Sequence, residues 1–271
     1  MVSQRELHNR KELYATLHKI LAALKALAYA ETHKLQRQIA PQQAITERMR
    51  KAVSRLRNGS VADEETQLII VLGTERGFCG DINHRLLQRL QELSLSAKDE
   101  AISCILVGDR LIQQAGEHLN ILARIPGASV TEDVESMVDA VMSEALKQPD
   151  RFSLFNMKTL YYDEPNSCEL LQSIFPEPEA HQDSGVPPLL YRSPAELLSE
   201  LIPLYLFTML QSCAKEALLG ENKRRLSHLE NATRHLNERM DEIALKSNHV
   251  RQESIIEEIE ALLASDITIG I

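Results

Sequence analysis

The sequence has 271 residues, of which 44% are hydrophobic, 25% charged and 4% aromatic, with no tryptophan and a formal net charge of -9. These fractions are typical of soluble globular proteins, and the length suffices for one or two domains with packed cores. An acidic chain without a large clustered basic surface is a poor general nucleic-acid binder, so no nucleic acid is expected as a partner. The scarcity of aromatic residues and glycine favours long helices over a β-sandwich or barrel.

The four cysteines form no CxxC pair, which argues against a zinc ribbon or a dithiol redox motif and favours reduced thiols. The nine histidines show no HExxH or other metal-ligand spacing, so neither a metal site nor a cofactor is expected. No apolar run approaches the roughly 20 residues that cross a bilayer. The first residues also lack the apolar core of a signal peptide, so a soluble or peripheral protein is predicted.

The first segment, residues 1–58, is predicted to be one long helix. Ser3 followed by Glu6 fits a capping box at its start. Pro41 lacks an N–H and crowds the preceding turn, so we expect it to kink or interrupt the helix. Apolar residues with alternating spacings of four and three make one narrow stripe, which suits a partner helix. The stripe comprises Leu13, Leu17, Ile20, Leu24 and Leu27.

The middle segment, residues 66–190, is predicted to be a Rossmann-like α/β domain. Short apolar runs predict strands, and amphipathic stretches between them predict helices, an alternation that implies a parallel sheet. Residues 164–188 are rich in Pro, Glu, Asp and Ser and are predicted to be irregular. The predicted strands are 67–73, 101–108 and 157–162, and the predicted helices are 83–93, 109–119 and 134–147.

The third segment, residues 193–271, is predicted to be a second long helix. Ser193, Pro194 and Glu196 form a strong helix start, while Pro203 and Gly220 are local weak points. A heptad spacing then predicts a coiled-coil seam, whose members are Leu226, Leu229, Thr233, Leu236, Met240, Ile243, Ser247 and Val250. The predicted fold class is therefore α/β plus a long antiparallel coiled coil formed by the N- and C-terminal helices.

The glycine-rich stretch from Gly73 to Gly80 follows a predicted strand and precedes a predicted helix, where a phosphate-binding loop would lie. However, it lacks the Lys-Ser/Thr of a Walker A motif and the GxGxxG spacing. A tight strand-to-helix turn is the favoured interpretation. No Ser, Cys or carboxylate constellation indicates catalysis elsewhere, so no catalytic residue is predicted.

Three stretches carry a resemblance that covers nearly the whole chain. Thr74–Asn83 is similar to the pattern Ser-Asp-Arg-Gly-Leu-Cys-Gly-Gly-Leu-Asn, and Thr16–Ala28 to Asn-Thr-Gln-Lys-Ile-Thr-Lys-Ala-Met-Lys-Met-Val-Ala. Ser247–Ile256 is similar to Tyr-Asn-Lys-Ala-Arg-Gln-Ala-x-Ile-Thr. These are patterns of the gamma subunits of F-type ATP synthases, and the chain resembles a divergent member of that family. The retained residues are Lys19, Ile20, Ala23, Lys25, Ala28, Arg76, Gly77, Cys79, Gly80, Asn83, Asn248, Arg251, Gln252 and Ile255.

The resemblance implies a central-stalk rotor with no active site, cofactor or small-molecule ligand of its own. In this family the paired terminal helices enter the hollow centre of an α3β3 hexamer. The α/β domain sits on the membrane ring of c subunits, alongside the epsilon subunit. Rotation of the asymmetric shaft then takes the catalytic subunits in turn through different nucleotide affinities, which couples ion translocation to ATP synthesis or hydrolysis.

The resemblance also implies partner contacts, residue by residue. Leu24 and Lys25 fall where the first helix faces an acidic segment of the catalytic subunits, a surface that suits the cationic Lys25. Arg251 and Gln252, with Ile255 beside them, fall where the last helix touches a catalytic subunit. Contact with the membrane ring or epsilon is expected from a separate group, which comprises Arg76, Gly77, Gly80, Tyr191 and Arg192.

Several positions depart from the family pattern. Leu24 replaces the usual Met, Glu31 a Lys, Ser247 a Tyr, and Gly80-Asp81 a Gly-Gly pair. The regulatory cysteine pair of chloroplast members is absent and no transit peptide is evident. We therefore expect a peripheral protein on the cytoplasmic face of a bacterial inner membrane.

Two other interpretations stay open at this point. A free-standing coiled-coil scaffold or adaptor would explain the helices, but not the joint matches around Gly77 and Arg251. Such a scaffold would be soluble alone, whereas a rotor shaft would co-purify with α and β subunits. A nucleotide-binding enzyme using Gly73–Gly80 would instead bind ATP or NAD directly.

Overall fold

A computed structural model describes residues 4–57, 66–96, 102–116, 119–147, 152–176 and 190–269, with side chains described between residues 5 and 260. Its elements follow the predicted order of a long helix, an α/β region and a second long helix. The helices are α1 Gln4–Leu56, α2 Ile82–Ser96, α3 Asp109–Gln114, α4 Asp133–Leu146 and α5 Pro194–Ile269, with a short 3-10 helix over Leu154–Asn156. The strands are β1 Gln67–Leu72, β2 Ile102–Val107, β3 Ile121–Ile125, β4 Met157–Asp163 and β5 Cys168–Ser173.

The five strands form one sheet in the order β3-β2-β1-β4-β5, in which β5 alone runs antiparallel to its neighbour. The three strands predicted from apolar runs are β1, β2 and β4, and the parallel arrangement is confirmed. The prediction that residues 164–188 are irregular is wrong over β5, because a turn reverses the chain after Asp163 and pairs Cys168–Ser173 with β4. Residues 177–188 of that stretch lie outside the described residues.

The central strand β1 is buried on both faces, as expected of a parallel strand covered by helices. Leu68, Ile70 and Leu72 point into one core, which also contains residues of α1, α4 and α5. Ile69 and Val71 point into a second core on the opposite face, built mainly from α2. Alternate residues of a strand face opposite sides, so an unbroken apolar run is what this position requires.

Both long helices continue through their prolines. Pro41 lies inside α1 and Pro203 inside α5. Pro41 therefore does not interrupt its helix, and that part of the expectation is wrong. A proline inside a helix costs about 3 kcal/mol. That cost is offset here because Leu35 and Val53, one on each side of Pro41, are fully buried in the first core. The proposed cap residue Ser3 and the expected end at Asn58 lie outside the described residues.

The chain divides into two compact units. One consists of Met1–Leu27 together with Leu226–Ile271, and the other of Ala28–Arg225. We call the first the coiled-coil unit and the second the α/β unit. Pairing of the two chain ends in one unit agrees with the predicted antiparallel coiled coil, and the fold class is confirmed.

Part of α5 is long and apolar enough to cross a membrane by length and composition alone. In this protein 44% of that stretch is buried inside the protein. Tyr205, Leu206, Met209 and Leu210 pack in the core beneath the sheet. The apolar composition of this part of α5 is therefore explained by its packing in that core.

Candidate partner-contact surfaces

The seam predicted on α5 faces inward within the coiled-coil unit. Leu229 and Ile243 are buried, and the other six predicted seam positions are each half-buried. The residues between them are mostly exposed, as expected for a helix with one partner. This part of the sequence pattern therefore identifies the contact face of α5 correctly.

The stripe predicted on α1 faces outward instead. Leu13 is 56% exposed and Leu27 is 53% exposed, and Leu17 and Ile20 are exposed as well. Only Leu24 among the five is half-buried. The expectation that this stripe forms the seam is therefore wrong. We call the exposed residues Leu13, Leu17, Ile20 and Leu27 the outer stripe.

The inward face of α1 lies one residue further along the chain. Its members have the same alternating spacing and include Leu7, Tyr14, His18, Leu21 and Lys25. Ala28, Thr32 and Leu35 continue that spacing and are buried. Residues at this spacing share one face of a helix. The inward face is less apolar than the outer stripe. A search for the most hydrophobic face of α1 therefore identifies the wrong face as the seam.

Lys25 and Leu24, both predicted to contact the catalytic subunits, lie side by side on α1. The Lys25 ammonium group lies 2.9 Å from the Glu230 carboxylate of α5, and both side chains are partly exposed. An exposed ion pair of this kind contributes little to stability. Lys25 can therefore exchange Glu230 for another carboxylate at small cost.

Arg251, Gln252 and Ile255 lie together on the last part of α5, and all three are exposed. The Lys25–Glu230 pair sets the antiparallel alignment of the two helices. In an antiparallel pair, moving one residue towards the N-terminus of α1 corresponds to moving one residue towards the C-terminus of α5. The start of α1 at Gln4 therefore lies opposite Arg251. Residues of α5 beyond Arg251, including Ile255, consequently extend past the first described residue of α1.

The loop after β1, residues 73–81, is held by α5. The buried Glu221 carboxylate forms an ion pair with the buried Arg225, whose Nε donates to the Gly77 carbonyl oxygen at 3.1 Å. The Cys79 thiol is also buried beside Glu221. Burial, together with the neighbouring charge of Glu221, raises the pKa of Cys79 to about 12, so the thiol stays protonated.

Burial also raises the pKa of Glu221, and three neighbours oppose that shift. These are the Arg225 guanidinium and the backbone N–H groups of Arg76 and Glu75, which all favour the carboxylate. Glu221 therefore has a partner on each side, Arg225 on its own helix and the Cys79 thiol of the loop. A side chain placed in this way serves to fix the loop against α5.

The loop exposes a bulky side chain from an unusual backbone conformation. Phe78 has φ 66° and is 55% exposed, and Gly80 also has a positive φ of 69°. A positive φ is uncommon for a residue with a bulky side chain and persists only when the surroundings enforce it. Arg76, at the start of this turn, is exposed apart from a hydrogen bond to Ser129 at 3.1 Å.

Tyr191 and Arg192 lie far from this loop. Tyr191 is 96% exposed just before the start of α5, and Arg192 donates a hydrogen bond to Glu200 at 2.6 Å. The loop instead contacts α5 at Glu221, which lies about 40 Å further along the helix at 1.5 Å per residue. The two groups predicted together for the membrane ring or epsilon therefore do not form one surface.

The edge of the sheet where a phosphate would bind is occupied by a side chain. The Glu75 carboxylate accepts hydrogen bonds from the backbone N–H groups of Asp109, at 2.9 Å, and Gly127, at 2.7 Å. These N–H groups follow β2 and β3, at the carboxyl ends of parallel strands where such sheets bind anions. The structure thus supports the turn interpretation of Gly73–Gly80. Within the described residues, no group of three or more His, Cys, Asp or Glu side chains could hold a metal ion.

A family model described as ATP synthase matches residues 3–265. Curated proteins with full-length similarity carry the description ATP synthase gamma chain. One, from Actinobacillus pleuropneumoniae serotype 5b (strain L20), is 24% identical over 285 residues, with 97% of this chain and 98% of the relative covered. The chain belongs to the ATP synthase gamma-chain family.

Other gamma chains show the same relationship. The gamma chain of Pasteurella multocida (strain Pm70) is 24% identical over 286 residues, again with 97% of this chain and 98% of the relative covered. Among solved structures, a chain of the Euglena gracilis mitochondrial ATP synthase (OSCP/F1/c-ring, rotational state 3) superposes with a TM-score of 0.66 at 16% identity. That match covers 98% of this chain and 94% of the other, so the two chains share a fold over nearly their whole length.

Two features of this gamma-family chain were not identified as functional from the sequence. The sequence motifs mark neither Glu221 nor Arg225 as a functional residue. Their four-residue spacing on α5 permits an ion pair on one helix face, which is the only sequence signal available. Their contact with the loop at Gly77 depends on tertiary packing between residues 148 positions apart.

Proposed function

We propose that this gamma-family chain is the central-stalk rotor of a rotary F-type ATP synthase. Its partners are the α and β subunits of an α3β3 hexamer, the epsilon subunit and the ring of c subunits. It couples ion translocation through the ring to ATP synthesis or hydrolysis in the hexamer. The observation that carries the proposal is the family match over residues 3–265, together with the pairing of both chain ends in one coiled-coil unit.

The chain is a non-catalytic subunit of its enzyme complex. Its contribution is mechanical, because an asymmetric shaft presents different side chains to each catalytic subunit as it turns. A partner's equilibrium shifts only through contacts that differ between its states. We assign such contacts to Leu24, Lys25, Arg251, Gln252 and Ile255, all of which keep exposed or half-buried side chains in the coiled-coil unit.

The two remaining groups of predicted contact residues have different partners in this proposal. Tyr191 and Arg192 lie at the start of α5 and are assigned to the membrane ring. The loop with Arg76, Gly77 and Gly80 lies about 40 Å along α5 from them and is assigned to another subunit of the complex. Its projecting Phe78 suits an apolar pocket on that subunit.

The gamma-family assignment places the chain in a peripheral, membrane-associated complex. We further propose that it lies on the cytoplasmic face of a bacterial inner membrane. The curated relatives described above are bacterial, and their full-length alignment supports this location.

Co-expression with its own α and β subunits tests the proposal. The chain is expected to co-purify with both in a complex that hydrolyses ATP. A free-standing scaffold would instead purify alone as a stable soluble protein, without α and β subunits. A nucleotide-binding enzyme would show ATP or NAD binding by the isolated chain in calorimetry.

The contact assignment has its own test in that complex. Replacing both Arg251 and Gln252 by Ala is expected to lower coupled ATPase activity, because two exposed polar contacts to a catalytic subunit are lost. Glu257→Ala, exposed on the same helix and outside the assigned contact group, serves as the matched control. Unchanged ATP turnover and ion pumping in the double variant would contradict the assignment.

A further inference from the structure

A chain of polar contacts connects α1 to α5 across the carboxyl edge of the sheet. On the α1 side, the Glu31 carboxylate accepts hydrogen bonds from Thr131, at 2.7 Å from the hydroxyl and 3.0 Å from the backbone N–H. Two residues earlier, the Ser129 hydroxyl accepts the hydrogen bond from Arg76. All these residues belong to the α/β unit.

On the α5 side, the loop of residues 73–81 is bound by side chains of α5. The Cys79 thiol of the loop lies beside the Glu221 carboxylate, and Arg225 binds both Glu221 and the Gly77 carbonyl oxygen. The side chain of Glu75 ties the loops after β2 and β3 together through Asp109 and Gly127. We call this set the collar; its side chains are those of Glu31, Glu75, Arg76, Ser129, Thr131, Glu221 and Arg225.

The collar differs physically from the apolar core below it. Apolar packing is non-directional, so two helices can slide or roll against a core with little change in the buried area. Hydrogen bonds to a carboxylate require a narrow range of distance and angle and are stronger than bonds between neutral groups. A series of such bonds therefore restricts the axial position and the rotation of each helix.

The α1 end of the collar depends on a carboxylate. Glu31 accepts hydrogen bonds from both the Thr131 N–H and the Thr131 hydroxyl, which a side chain without an acceptor cannot do. Lys34, one turn further along α1, forms an ion pair with Glu132, the residue after Thr131. Two side chains of α1 therefore contact consecutive residues just before the start of α4.

We propose that the collar fixes α1 and α5 relative to each other and to the loop of residues 75–80, and that this fixation is required for efficient torque transmission. This inference rests on the rotor function proposed above. The collar residues are positioning residues, because they act by holding the two helices and the loop. Glu221 is the central one, since it contacts the loop and Arg225 from a fully buried position.

The test uses the membrane-bound complex assembled with Glu31→Ala or Glu221→Ala. ATP hydrolysis is measured beside ATP-driven ion uptake, followed with a pH-sensitive acridine dye for protons and with radioactive sodium for Na⁺. Ion transport per ATP hydrolysed is expected to fall about fivefold, within the range found for substitutions in coupling networks. Lys223→Ala is the matched control: its ion pair with Glu164 also joins α5 to the sheet, at the turn after β4, but lies outside the collar.

Conservative variants separate positioning from general destabilisation. Glu221→Gln keeps an oxygen acceptor of the same shape but loses the charge that pairs with Arg225, so it is expected to retain more transport per ATP than Glu221→Ala. Glu75→Ala is expected to lower the transport per ATP, and added acetate is expected to restore it. The acetate carboxylate can accept hydrogen bonds from the N–H groups of Asp109 and Gly127 in place of Glu75. Chloride at the same ionic strength should give no such recovery.

Unchanged transport per ATP in both Glu31→Ala and Glu221→Ala would overturn the inference. If either variant fails to assemble, Thr131→Val and Ser129→Ala remove only hydroxyl groups and must still lower the ratio. If the unmodified chain does not assemble with α and β subunits, the rotor proposal itself fails. Hydrogen exchange on the isolated chain then tests whether the collar holds α1 in place. The backbone N–H of Thr131 must exchange faster in Glu31→Ala than in the unmodified chain. Unchanged protection of that N–H contradicts the inference.

Discussion

Glu31 of α1 accepts two hydrogen bonds from Thr131, the residue that lies two positions before the start of α4. The carboxylate thereby satisfies one of the free backbone N–H groups near a helix start and places negative charge where the helix dipole favours it. The contact joins residues 100 positions apart, so it fixes tertiary structure rather than a local turn.

Thr131→Val tests the value of that contact. Valine has the shape of threonine but cannot donate the hydroxyl hydrogen bond to Glu31, so the free energy of unfolding is expected to fall by about 1–2 kcal/mol. Urea denaturation followed by circular dichroism measures the change. Thr16→Val is the control, because the Thr16 hydroxyl bonds only to the Glu12 carbonyl within the exposed face of α1. An equal loss in the two variants would contradict the special role of Thr131.

The register of α1 in the coiled-coil unit can be tested with two leucines. Leu7 is buried and Leu13 is exposed. Leu7→Ala is expected to lower the free energy of unfolding by about 2 kcal/mol or more, whereas Leu13→Ala should change it by less than about 0.5 kcal/mol. Thermal unfolding followed by the helical circular dichroism signal provides the measurement. The opposite ranking would show that the outer stripe forms the seam after all.

Thiol reactivity tests the burial of the cysteines. Burial raises the pKa values of Cys79, Cys104 and Cys213 each to about 12, and Cys168 is more accessible than these three. At pH 8 a thiol with a pKa of 12 is thiolate in only about one molecule in ten thousand. Since the thiolate is the reactive form, raising the pH towards 12 should accelerate labelling of these three.

Ellman's reagent at pH 8 is therefore expected to label Cys168 first in the folded protein. The other three should react only after unfolding in denaturant, when their pKa values return towards the ordinary range. A Cys168→Ser variant provides the control and should show almost no rapid labelling. Rapid labelling of more than one thiol in the unmodified folded chain would contradict the buried positions.

The packing of α5 against the sheet is tested at Gly220. A Cβ atom there would lie 3.0 Å from the carbonyl oxygen of Tyr162, so α5 or β4 would have to shift. Gly220→Ala gains about 1 kcal/mol of helix propensity, but the shift costs about 1–3 kcal/mol, and a net loss of stability is expected. Gly77→Ala, where a Cβ meets no atom within 4 Å, is the control and should be nearly neutral. Chemical denaturation of both variants decides between these outcomes.

The sequence predicts most of the α/β unit because its central strands must be apolar on both faces. The runs that became β1, β2 and β4 satisfy that requirement, and helices between them follow from the alternation. The edge strands β3 and β5 were missed. Both are only partly buried, and β3 contains Arg124, so neither shows an unbroken apolar run.

The failure on α1 has a different cause. Two adjacent frames of the helix follow the same spacing, and the more apolar frame, with Leu13 and Leu27, is the exposed one. The buried frame contains His18, Lys25 and Thr32, which a search for hydrophobic residues passes over. Which frame faces inward is decided by the partner helix in the coiled-coil unit, a tertiary contact that periodicity does not contain.

The candidate contact residues show the same limit. Motif resemblance identified both the loop at Gly77 and the stretch at Tyr191, but sequence order says nothing of their separation along α5. In the structure the loop contacts Glu221 and Arg225, whereas Tyr191 lies just before the start of α5. Their distance follows only once residues 194–221 are known to be one uninterrupted helix.

The outer stripe of α1 has a consequence for the chain before it meets its partners. Leu13, Leu17, Ile20 and Leu27 form a continuous row of large aliphatic side chains in contact with water. Newly synthesised protein that carries such a row tends to aggregate and is a substrate for chaperones and proteases. Copies made in excess of the rest of the complex would therefore be degraded, and the stoichiometry of the complex would be maintained by removal of the surplus.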